Sequence, residues 1–109
     1  MKTIAQIIAL ASDRTAAGVR SYERAVNAAF DAKIRHDGGE FGGWNPAGGE
    51  ADDADIHALV DGCTELHRAK GAGRVVVQRT RRRTFLLVGR RYNGTHWGWH
   101  SVIAEDASA

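Results

Sequence analysis

The chain has 109 residues, 43% of them hydrophobic and 26% charged, with a formal charge of +2 at pH 7. That length suits a single domain burying roughly 65% of its unfolded surface, and the balance of residues excludes fibrous, disordered and membrane-embedded classes. Cys63 is the sole cysteine, which excludes an internal disulfide and fits a reducing compartment.

After Lys2 the run TIAQIIALA is too short and too soon followed by charge to serve as a secretory leader. No stretch reaches the roughly eighteen apolar residues of a membrane span, so a cytoplasmic protein is expected. Thr3-Ile4-Ala5-Gln6 has the spacing of a capping box, hydroxyl at the cap and amide three residues on. Ile4, Ile7, Ile8 and Ala11 continue at helical spacing, predicting a helix over about 3–12. Ser12-Asp13-Arg14-Thr15 either ends it and caps a second helix or kinks a continuous one. From 15 to 36 the stripe Val19, Tyr22, Val26, Ala29, Phe30 and Ile34 predicts a second amphipathic helix, closed by Gly38-Gly39.

Residues 37–50, DGGEFGGWNPAGGE, hold six glycines and the one proline. A connection of this length is expected to be either mobile or functional. Phe41 and Trp44 either tuck back onto the helices or contact a partner. Asp52 or Asp53 can cap a third helix over about 53–70, with Ile56, Leu59, Val60, Cys63 and Leu66 inward and Gly71 at its end.

The remainder reads as three strands, about 74–80, 84–92 and 95–104. Asn93-Gly94 suits the two centre positions of a type I′ turn. A two-residue loop there pairs Arg90 with Trp97, Val88 with Trp99, Leu86 with Ser101, Leu87 with His100 and Gly89 with Gly98. A two- or four-residue loop at Thr80–Arg83 sets Val75 beside Val88 and Val77 beside Leu86. The core face then gathers Val75, Val77, Leu86, Val88, Trp97, Trp99 and Ile103, and the other face carries Gln78, Phe85, Leu87, Arg91, His96 and His100. The expected fold is α+β: two or three N-terminal helices packed on one face of a C-terminal three-stranded antiparallel β-meander.

Charge is laid out unevenly. Residues 71–109 hold seven arginines against Glu105 and Asp106, a net of +5, whereas residues 37–61 hold seven acids and no Lys or Arg. A bipolar molecule follows. No motif for metal, nucleotide or cofactor stands out, and neither a cofactor nor a metal is expected. Cys63 and His67 would need two further ligands to hold zinc. Cys63 lies within an apolar stripe, where burial disfavours the thiolate. The Ser-Asp-Arg-Thr junction lacks the glycine usual in a helix-turn-helix.

Three functional readings remain. The first is a small non-enzymatic regulatory protein working by protein contact through Phe85, Leu87, Arg91, His96 and His100. Phe41 and Trp44 would add loop contacts, and the acidic segment Glu50, Asp52, Asp53 and Asp55 could dock on a basic groove. Its size and charge parallel those of the small inhibitors of phages and mobile elements, anti-CRISPR proteins among them, as a class analogy with no shared motif. The second is a nucleic-acid-binding module using Arg79, Arg81, Arg82, Arg83 and Arg90. The third is a small ribonuclease-type toxin, with His96 or His100 as acid–base and Arg91 or Arg79 holding phosphate. Homodimerisation through an open sheet edge is left open.

Overall fold

The first helix forms where its cap dictates. Thr3 Oγ1 accepts a hydrogen bond from Gln6 N at 3.2 Å, and Gln6 Oε1 accepts one from Thr3 N at 2.8 Å. This reciprocal box satisfies two amides at the start of α1 (Ile4–Ser12). A third is satisfied from far along the chain, for Ile4 N donates to Glu105 Oε2 at 3.1 Å. A carboxylate there also complements the positive end of the helix dipole. These contacts belong to a computed structural model describing residues 1–36, 61–93 and 96–107.

Asp13 separates α1 from α2 (Ala16–His36), so the two helices are distinct. Its Oδ1 accepts from Thr15 N and Thr15 Oγ1 at 3.0 and 2.7 Å, and Thr15 Oγ1 in turn accepts from Gly18 N at 3.1 Å. Gly18 permits this tight junction, because a Cβ there would collide with the Asp13 carboxyl and carbonyl groups. Along α2 most of the expected stripe is realised: Tyr22, Val26, Ala29 and Phe30 are buried, with Ile34 packed at the margin, while Val19 is half-buried and outside the core.

Among the described residues the fold is α+β, two helices and a four-stranded antiparallel sheet, one strand more than expected. The strands are β1 (Thr64–Ala69), β2 (Gly73–Arg79), β3 (Arg83–Asn93) and β4 (His96–Asp106), ordered β1-β2-β3-β4. β1 replaces the second half of the predicted third helix; residues 53–60 of that helix lie outside the described residues. One glycine marks the difference. Gly62, inside the predicted helix, has φ 79°, backbone that a helix interior does not accept, whereas Gly71 has φ 92°. Gly71 was expected to end a helix, yet the same positive φ serves the β1–β2 turn. The strand then gains paired backbone groups along β2, with Thr64 beside Val77 and Leu66 beside Val75, and drops Leu66 onto the core.

The β2–β3 register is the expected one, Val75 beside Val88 and Val77 beside Leu86. These four join Ile4, Ile7, Tyr22, Val26, Ala29, Phe30 and Val102 in the core between sheet and helices. Each such side chain, fully buried, contributes on the order of 1.5–3 kcal/mol.

The β3–β4 register differs from expectation and reverses the placement of several side chains. Ile103 pairs with Leu86 but Ser101 with Leu87, leaving Val102 as an extra residue, and a second irregularity lies between Arg91 and Asn93. Such bulges shift the pairing by one residue. His100 now lies beside Val88 and Trp99 beside Gly89. His100 is therefore on the helix side, buried edge-on against Phe30 at 5.4 Å. Trp99 is on the opposite side, its ring lying across Gly89. The expected pairing set Gly89 against Gly98, two residues without side chains, whereas the observed one fills the space above Gly89 with an indole. Val76, Leu87 and Trp99 are all buried on that second face.

Candidate functional site

The β2–β3 turn is a two-residue loop, Arg81-Arg82, without glycine and without positive φ. Such a loop does not match strand twist as a type I′ turn does; here the Thr80 hydroxyl closes it. Thr80 Oγ1 accepts from Arg83 N at 3.0 Å and donates to Arg83 O at 2.9 Å, while Thr80 N donates to the same carbonyl at 2.8 Å. Beyond β4, Ala107 N donates to Arg82 O at 2.9 Å. The tip is thus fixed from both sides, although it is all surface.

Four guanidinium groups stand on this frame. Arg79, Arg81, Arg82 and Arg83 are all exposed. Strand alternation puts Arg79 on the helix side and Arg83 on the other, with Arg81 and Arg82 at the end. Two carboxylates share this end of the sheet. Glu105 is engaged by the start of α1. Asp106 Oδ1 lies 3.7 Å from Arg83 Nε, with side chains 91% and 55% exposed, a pairing that water largely screens.

The other basic residues are placed elsewhere. Arg90, grouped with the hairpin by sequence, sits seven residues along β3, about 23 Å by the usual rise. Its guanidinium lies over the Phe30 ring at 5.4 Å; the expected cross-strand neighbour was Trp97, and the observed one is Gly98. Arg74 is neutralised on the second face, with Nε and Nη2 donating to Glu65 at 2.7 and 2.8 Å. This hydrogen bonding holds the Glu65 carboxyl below its ordinary range.

Of the residues expected to form a protein-binding patch, His100 is parted from Phe85 and Leu87, which share the second face. Leu87 is buried on the second face and His100 is buried on the helix side, while Phe85 is half-buried. Arg91 and His96 take backbone places in β3 and β4, but their side chains, like that of Trp97, lie outside the described residues. The same is true of Phe41, Trp44, Glu50, Asp52, Asp53 and Asp55. Burial of His100 also removes one of the two histidines considered for phosphodiester cleavage.

Cys63 and His67, one helical turn apart in the expected helix, now sit four places apart on largely extended chain and do not converge. Burial, and secondarily Asp61, push the Cys63 thiol up, away from the thiolate form. Among the described residues no group of three His, Cys, Asp or Glu side chains could hold a metal ion. His67 instead serves packing. Its ring lies 3.9 Å from that of Tyr22, whose hydroxyl donates to His67 O at 2.6 Å. Burial pushes the Tyr22 phenol upward. Thr80 is the residue that sequence reading missed: a hydroxyl directly before a glycine-free two-residue loop was its only signal. An open groove of about 440 Å³, lined by Leu10, Ala25 and Ala28 with Lys2 and Arg24, was likewise not foreseen.

Comparison with protein-family models, curated proteins and solved structures returns no match. Function is therefore argued from the site alone.

Proposed function

We propose that this protein is a nucleic-acid-binding module that holds phosphate with the arginine end of its sheet. One observation carries this reading: Arg79, Arg81, Arg82 and Arg83 are exposed together on a braced turn, with the exposed Asp106 carboxylate beside Arg83. Guanidinium groups pair with phosphate oxygens in a planar fork, and a turn already held in place loses little further entropy on binding. The placement of Leu87 and His100 favours this reading over the sheet-face protein patch. The test is a low-salt mobility shift with mixed nucleic acid, comparing wild type with the Arg81→Ala/Arg82→Ala/Arg83→Ala variant. The wild type shifts the probe and the variant does not; an unshifted wild-type probe refutes the reading.

A protein partner is the second reading, and the groove beside α1 and α2 favours it. Its apolar floor, Leu10, Ala25 and Ala28, is flanked by Lys2 and Arg24, which complements an acidic amphipathic helix. Such an occupant would be lost from an Ala25→Arg variant and retained by the triple-arginine variant. The reverse pattern rejects this groove.

A further inference from the structure

We infer that the ligand of the arginine end is a nucleic-acid duplex, gripped by the phosphates of both strands without reading its sequence. This rests on the phosphate-binding reading above and narrows it. Three features of the end carry it.

The first is that, among the described residues, no exposed aromatic ring stands at this end. Arg79, Thr80, Arg81, Arg82, Arg83 and Asp106 are exposed there, and Met1 is the single exposed large hydrophobic among the described residues. Trp99 is buried across Gly89, and His100 is buried against Phe30. The backbone places of Tyr92 and Trp97 are at the far end of β3 and β4. Proteins that hold single strands gain about 1–3 kcal/mol per base from aromatic stacking. The exposed described side chains of this end supply charge and a hydroxyl, and Phe85, two residues along β3 from Arg83, is half-buried.

The second is the direction of the charges. Arg79 projects from one face of the sheet, Arg83 from the other, and Arg81 and Arg82 lie between them. One row of phosphates meets such an arrangement on one side only. Two rows flanking a groove meet it on both, and a duplex presents about one charge per 1.7 Å, twice the density of one strand.

The third is width. The hairpin does not project as a two-stranded ribbon, because β4 runs beside it to Asp106, opposite Arg83, and Ala107 is bonded to Arg82. Three strands spaced about 4.8 Å apart span about 10 Å before side chains are added. That edge is one strand wider than the two-stranded ribbon that a major groove about 12 Å wide admits. The end stays at the groove rim, where phosphates are met and base edges are not. Phosphate contacts position without specifying.

The test measures fluorescence anisotropy of wild type against two DNA duplexes of unrelated sequence, an RNA duplex and oligo(dT), over a salt series. Duplex should bind about tenfold or more tighter than oligo(dT), and the two DNA sequences should agree within about twofold. The slope of log K against log salt should be about −3 to −4 for duplex DNA, and Arg79→Ala or Arg83→Ala should each reduce it by about 0.9. Either duplex binding in this way supports the inference, and the two arms report whether DNA or RNA is preferred. Oligo(dT) bound as tightly as duplex, or a strong preference between the two DNA sequences, overturns this inference and leaves the phosphate-binding reading standing. No binding to any probe at low salt overturns both.

Discussion

Replacing Gly89 with alanine tests the observed β3–β4 register directly. An ideal Cβ at Gly89 would lie 2.8 Å from Trp99 Cη2 and Cζ2 and 2.9 Å from Cε2, closer than carbon atoms pack. Trp99 is 2% exposed, so the indole has little room to move aside. Overpacking of this kind costs about 1–3 kcal/mol. Against it, alanine in a strand recovers about 0.5–1 kcal/mol of the entropy that glycine loses on folding. Gly89 is not among the positive-φ glycines, so no backbone strain is added. The net expectation is a loss of up to about 2.5 kcal/mol, centred near about 1 kcal/mol, or a fall in Tm of roughly 4–8 °C at that centre for a domain of this size. Thermal and urea denaturation followed by circular dichroism would measure it. In the alternative register Gly89 faces Gly98 and a methyl group is accommodated freely. Gly89→Ala at or above wild-type stability would therefore refute the placement of Trp99 over Gly89, and with it the inward placement of His100.

Two other substitutions probe how β1 and its turn are held. Tyr22→Phe removes the hydroxyl that donates to His67 O at 2.6 Å and should cost about 1 kcal/mol in urea denaturation; unchanged stability would mean that water replaces the phenol. Hydrogen bonding from Arg74 lowers the folded-state pKa of Glu65 below its ordinary 4.5, and burial opposes this. A depressed carboxylate contributes stability that is fully present above its unfolded pKa and lost as pH falls through the folded one. Glu65→Gln should therefore be less stable than wild type at neutral pH and converge with it in acid. A difference that ignores pH would separate the pair from stability.

How far the sequence carried the fold differs from element to element. Thr3 and Gln6 could be paired by spacing alone, and the α2 stripe from Tyr22 to Phe30 by period, because both are local properties of consecutive residues. Val75–Val88 and Val77–Leu86 followed from a short hairpin whose neighbouring faces had to agree. The exposure of Arg79, Arg81, Arg82 and Arg83 followed as well, since consecutive guanidiniums at a turn have nowhere drier to go. The hydroxyl bracing by Thr80 did not, because residue type reveals nothing of where a side-chain oxygen will point.

Sequence by itself thus determined helical segments over about 3–12 and 15–36, the pairing of a central hairpin and its basic turn, each stabilised mainly by contacts within a few residues; the break at Asp13 and the two-residue length of the turn came from the structure. Tertiary structure decided that residues 64–69 form a strand: Cys63 and Leu66 fit a helical stripe, but Gly62 adopts positive φ and the edge of β2 supplies hydrogen-bond partners. It also decided which faces His100 and Trp99 occupy, because the β3–β4 pairing slips by one residue on either side of them, between Arg91 and Asn93 and at Val102. Alternation records that two residues differ in direction; a bulge, chosen by how an indole and an imidazole fit against Gly89 and Phe30, sets which direction is inward.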